Sequence, residues 1–157
     1  MAIPEFVQEL RARVGHAPLW LSGVTALVLD EAREHLLVVH RADTGAWTPV
    51  TGIIDPGEEP AMAGAREVLE EAGIRARPVR LVDVRTLPPV TYPNGDVARY
   101  LDLCFEYVHL AGEPHPADGE NTEARWAPLD DLPPMNDRFR EQLATALSGD
   151  PAATFRA

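Results

Sequence analysis

Glu67, Glu70 and Glu71 stand at positions i, i+3 and i+4 of the run REVLEEAG. On a helix that spacing gathers three carboxylates on one face. Like charges so placed repel by a few tenths of a kcal/mol per pair on an open helix. In a partly buried cleft the term grows. Two carboxylates about 5 Å apart at an effective dielectric near 20 repel by roughly 3 kcal/mol. A divalent cation reverses the sign. Hard oxygen donors suit Mg2+ or Mn2+, and Mg2+ commonly bridges protein carboxylates to substrate phosphates. Taken alone the cluster reads either as a solvated helix face or as a site for metal-assisted work on phosphates, and the residues around it decide between the two.

The flanks belong to the same pattern. Gly52 and Gly57 bracket a loop leading into the helix, and glycine lets backbone groups approach an ion or a phosphate closely. Glu58 closes that loop and can pair with Arg66, which can also reach Glu70 four residues on. Gly73 is placed to cap the helix at its C-terminal end. Val68, Leu69 and Ala65 are expected to face a sheet.

The elements that must hold this cluster follow from periodicity. Ile3, Phe6, Val7, Leu10 and Val14 recur at helical spacing, with Pro4 in the first turn. This N-terminal helix, spanning 1–15 with Gly15 as its stop, is expected to pack on the domain body or on a second copy, as a homodimer. Residues 21–30 and 34–40 predict an antiparallel pair. Another extended piece covers 46–54, interrupted by Pro49, and the acidic helix runs over about 60–72. Strands are expected at 79–87, 97–108 and 124–127, and a last helix at 136–147. Turn-rich loops occupy 87–96 and 111–123. Strands interleaved with two or three helices predict an α/β (α+β) fold, a sandwich over a mixed central sheet, as a single domain over 1–157.

Composition narrows the function. The formal net charge is −11, and all 14 basic residues are arginine. An acidic surface repels phosphate backbones and argues against coating DNA or RNA. The lack of lysine excludes a P-loop lysine and a Schiff base. The sequence has no apolar run of membrane-spanning length and no signal-peptide pattern at its start. With the single Cys104 in an apolar strand, a cytoplasmic protein without disulfides is expected. His16, His35, His40, His109 and His115 show no metal-ligand spacing.

The frame from Gly52 onward is glycine, five residues, Glu58, seven residues, Arg66-Glu67-Val68, one residue, Glu70-Glu71, one residue, Gly73-Ile74. It resembles the Nudix box, G-x5-E-x7-R-E-U-x-E-E-x-G-U with U aliphatic, at all nine defined positions over 23 residues. The likeness extends more loosely to Arg41, Trp47 and the ARW-PLDDLPP tail. One departure is Val50-Thr51-Gly52, where the family usually has a PGG turn; it touches turn geometry rather than metal chemistry.

The resemblance implies a Nudix-type α/β/α sandwich and Mg2+-dependent hydrolysis of a pyrophosphate bond in a nucleoside diphosphate linked to another group. A nucleotide sugar or ADP-ribose would serve. It also allows a MutT-like triphosphate pyrophosphohydrolase, or a sensor that binds a nucleotide sugar without cleaving it. By analogy Glu67, Glu70, Glu71 and the Gly52 carbonyl would ligate metal, while Arg66 and Glu58 would brace them. Glu120 or Glu123 would add a ligand or base from the loop beyond the helix. Arg41 would reach a diphosphate or stay on the surface. Trp47 would line a base pocket or pack in the core. Tyr92 would stack on a base or serve a plain turn. Asn136 would meet a purine or cap the last helix. Pro89 and Tyr92 match the cues of two different substrate subfamilies, so neither decides.

Overall fold

The computed structural model describes residues 3–157. It places α1 at Glu5–Val14, β1 at Leu19–Leu29, β2 at His35–Arg41, β3 at Trp47–Thr48 and β4 at Val50–Ile53. Next come α2 at Pro60–Ala72, β5 at Arg75–Thr86, β6 at Val90–Thr91 and β7 at Val97–Ala111. The chain closes with β8 at Asn121–Pro128, α3 at Asp137–Leu147 and β9 at Thr154–Phe155.

The expected mixed sheet is present, with path β3-β2-β1-β7-β5-β9. β1 lies parallel to β7 along its whole length, from Leu19 beside Ala98 to Leu29 beside Val108. β4 pairs antiparallel with the other edge of β1, β8 with β2, and β6 with β7. The antiparallel pairing of β1 with β2 is confined to Leu29 and Leu36 at the hairpin end. Beyond it the strands part, because β4 takes the place beside β1. Pro49 divides β3 from β4, as its missing N–H requires.

Helices cover both faces. Leu27, Leu29, Leu36 and Val38 meet Phe139, Leu143 and Ala146 of α3. Ala26, Val28, Leu37 and Val39 meet Val68 and Ala72 of α2. Burial on both faces explains why ALVL and LLVV are apolar throughout instead of alternating. Cys104 is fully buried in β7, and burial pushes its thiol pKa well up, so its packing role holds. Among the described residues no helix is long and apolar enough to cross a membrane.

Two expectations change. Leu69 does not face the sheet; it is about half exposed, and the inward positions of α2 are taken by Glu67, Val68, Glu71 and Ala72. The apolar stripe of α1 buries only Val7, against Leu21, Ile53 and Ala98. The helix is tied down by polar bonds instead. The Arg11 guanidinium donates to the carbonyls of Gly15 and Ala17, and to Val97 on β7 at 2.8 Å.

Candidate active site

α2 begins with Pro60 in its first turn and ends where Gly73 adopts φ 67° and its N–H returns to the Leu69 carbonyl. In its N-terminal half Ala63 and Gly64 are buried, and a Cβ at Gly64 would meet the Tyr107 hydroxyl of β7 at 2.0 Å. Another close approach is at Gly52 on β4. A Cβ there would stand 2.2 Å from Cδ of Glu67. Glycine is the residue that leaves room for that carboxylate over the strand.

Arg66 organises the entrance. Its Nε and Nη2 donate to the two carboxylate oxygens of Glu58 at 2.9 and 3.0 Å. Nη2 also donates to the Ile53 carbonyl at 3.2 Å, and Nη1 to Glu67 at 2.9 Å and Glu70 at 3.2 Å. One guanidinium thus clamps the loop before α2, strand β4 and two carboxylates of the helix face. The expected Arg66–Glu58 brace is present. The bond to Arg66 holds the Glu58 pKa below its ordinary value.

Behind this clamp lie two buried acids. Glu67 is 5% exposed and Glu71 1%. Burial pushes the Glu67 pKa up to about 7, outweighing the opposing pull of Arg66, while Glu71 and Glu70 add to the rise. Burial likewise raises Glu71 to about 7, against a 3.0 Å hydrogen bond that Oε2 accepts from Asn121 Nδ2. Asp118 raises it further and Arg41 opposes. Two oxygens are left over. Glu71 Oε1 and Asn121 Oδ1 are both buried with no hydrogen-bond partner among the described residues. Orphaned acceptors at this depth are costly and suit a cation or a proton.

Glu67 faces a cleft of about 660 Å³ lined also by Asp55, Arg66, Glu70, Asp118 and Glu120, with Glu71 buried behind it. Glu120 stands across from α2. Its carbonyl accepts from the Ala42 N–H at 2.9 Å, which fixes the loop to the end of β2. Glu123 is instead paired with Arg125 on β8 at 3.3 Å, so the two candidates separate. A second cavity of about 370 Å³ adjoins the first, with Pro4 and Ile53 common to both walls. Arg41 and Tyr92 line it. Arg41 is paired with Asp43 at 2.7 and 3.0 Å.

Trp47 and Asn136 line neither space. Trp47 packs against the core cluster on the α3 face, with the Arg125 guanidinium 4.8 Å from its ring. Asn136 caps α3, its side chain accepting from the Arg138 N–H at 2.9 Å. Sequence reasoning missed Asn121 and Asp118. Their only signal was adjacency to Glu120.

Hard carboxylate oxygens, an orphaned acceptor and a glycine cradle fit a divalent ion. With Glu67 and Glu70 drawn to Arg66, no three acid, imidazole or thiol groups among the described residues converge into a finished cage.

The chain is 34% identical over 116 residues to a NAD-capped RNA hydrolase of Deinococcus radiodurans, covering 69% of this chain and 39% of that protein. It is 32% identical over 113 residues to the CMP-5'-(N-acetyl-N-hydroxy-3-aminopropyl)phosphonate hydrolase of Streptomyces rubellomurinus, covering 69% and 52%. It is 32% identical over 112 residues to the human 8-oxo-dGDP phosphatase NUDT18, covering 70% and 33%. The chain thus spans about half or less of the length of these curated relatives. In fold it is similar to a UDP-X diphosphatase, with TM-score 0.67, 19% identity, and 96% and 73% of the two chains covered. An ADP-ribose pyrophosphatase from Streptococcus suis superposes with TM-score 0.64 at 24% identity over 87% and 97%. The NUDIX domain family matches residues 20–147, and with the box at 52–74 built into this acidic cleft, the chain belongs to that family.

Proposed function

We propose that this chain hydrolyses the pyrophosphate linkage of a nucleoside diphosphate joined to a second group, using Mg2+. The observation that carries the reading is the buried Glu71 carboxylate, with one oxygen unpartnered among the described residues, behind the acidic cleft that Glu67 lines. Glu67, Glu70, Glu71 and the Gly52 carbonyl would hold the ion, with Glu120 joining from the facing loop. When bound, Mg2+ neutralises phosphate oxygens and lowers the pKa of a bound water. The protein side of the work is positional and protolytic. Arg66 keeps the helix face registered to β4 and to Glu58. Asn121 orients Glu71. Glu120 is assigned as the acceptor of the proton released by the attacking water, since it lines the cleft opposite the helix acids. Arg41, at the wall of the adjoining cavity, is assigned to the substrate's diphosphate.

The net charge of −11 favours a small nucleotide over an RNA body as substrate. The test is a phosphate-release screen with and without Mg2+. It should span nucleotide sugars, ADP-ribose, CDP-alcohols, dinucleoside polyphosphates, nucleoside triphosphates and NAD-capped RNA. Metal-dependent turnover of a diphosphate-linked substrate is the expected result. Turnover confined to triphosphates, or nucleotide-sugar binding without turnover, would overturn the assignment.

A further inference from the structure

The geometry points to the cavity between α1 and the β6–β7 hairpin as the pocket for the substrate's nucleobase, with α1 as its selectivity wall. This deepens the proposed hydrolase reading and rests on it for the phosphate half of the ligand.

Adjacency comes first. The cavity and the acidic cleft share Pro4 and Ile53 in their walls, so a ligand with phosphates at α2 has this cavity beside it. Arg41 lines the cavity, its guanidinium held by Asp43 at 2.7 and 3.0 Å. A cation so placed suits the phosphates nearest the nucleoside.

The chemistry of the walls comes second. The floor is the small apolar cluster of Val7, Leu21, Ile53 and Ala98. Tyr92 and Tyr100 form one side, and their hydroxyls bond each other at 2.6 Å. The polar groups of the hairpin are likewise spoken for. Asp96 accepts from Asn94 Nδ2 at 3.0 Å, contacts His16 at 2.8 Å and lies 3.5 Å from Arg11. A sugar brings many hydroxyls that each need a partner, and the polar side chains of these walls, Arg41 and Asp43 included, are engaged mainly with one another. A planar heterocycle needs apolar surface and an aromatic face, which they do offer. A volume of about 370 Å³ is within the range of small-ligand sites.

The third observation concerns which segment builds the wall. Pro4, Val7 and Arg11 all precede residue 20, where the family match begins. The pocket therefore combines the family's shared segment with a helix outside it, and base preference would be set by α1.

The test is nuclear Overhauser spectroscopy on the whole chain, metal-free in chelator, with AMP, GMP, CMP and UMP in turn. Base protons of at least one nucleotide should contact the methyl groups of Val7 and Leu21. Tyr92→Ala should weaken that nucleotide's Kd by roughly tenfold, as loss of one stacking face implies, with an unchanged melting temperature. Three results would overturn the pocket: base protons contacting other residues, ribose protons alone reaching Val7, or no nucleotide bound at millimolar concentration. Base contacts without turnover in the screen would leave the pocket standing and remove the hydrolase. Turnover without base contacts would do the reverse.

Discussion

Replacing Glu71 by Gln separates what this residue does for the fold from what it does in the cleft. In the folded chain its pKa is about 7, against an ordinary 4.5, chiefly because it is buried. The ionised form is therefore disfavoured by about 3 kcal/mol, an upper figure that water entering the cleft will reduce. The folded pKa is raised. The stability carried by the protonated acid is thus complete below about pH 4.5 and is lost as pH climbs through 7. Glutamine keeps an oxygen to accept from Asn121 and carries no charge. In chelator at pH 8, Glu71→Gln should be more stable than wild type by roughly 1–3 kcal/mol, or about 2–10 °C in Tm. At pH 5 the two should nearly coincide. With millimolar Mg2+ the wild type should gain Tm and the variant much less, while its turnover falls at least about a hundredfold. Thermal melts by circular dichroism at pH 5 to 8, with chelator or Mg2+, measure all of this. A variant less stable than wild type by the same margin at both pH values would refute the reasoning, since Glu71 would then be held by packing and not penalised by its charge.

Gly52→Ala should cost turnover and metal affinity together, because the new Cβ would stand 2.2 Å from the Glu67 carboxyl carbon; calorimetric Mn2+ titration and kcat would both fall by tenfold or more. Arg66→Lys keeps the charge but cannot span Glu58, Ile53 and Glu67 together, so kcat should fall roughly 10- to 100-fold with the fold intact by circular dichroism. Glu120→Gln should lose less turnover than Glu71→Gln, which steady-state kcat for the two variants checks.

The acidic frame could be read from the sequence because its positions are local. The i, i+3, i+4 spacing and the cap at Gly73 depend on neighbours along one helix. What lay beyond reading was which way that helix turns. Apolar patterning assigns Leu69 inward, yet Glu67 and Glu71 hold buried positions and Leu69 faces out. A pattern that scores acids as exposed cannot see a buried pair of them. For Trp47 and Asn136 the sequence left a base pocket open beside core packing and helix capping, and the structure takes the second of each. Asn121 escaped notice because its bond to Glu71 joins residues far apart in the chain. The β1–β7 pairing is equally distant and leaves no local trace.

That parallel pairing also sets when the site can exist at all. Leu19 must find Ala98, and Leu29 must find Val108. Such non-local pairing makes for slow folding, since chain closure precedes the contacts that reward it. On the ribosome β1 emerges long before β7 is made. Until then the strand that carries Gly52, itself paired to β1, has no settled sheet to join. The acids of α2 thus receive their floor only after most of the polypeptide has been synthesised, and nascent chains cut short of β7 are expected to be unable to assemble the cleft.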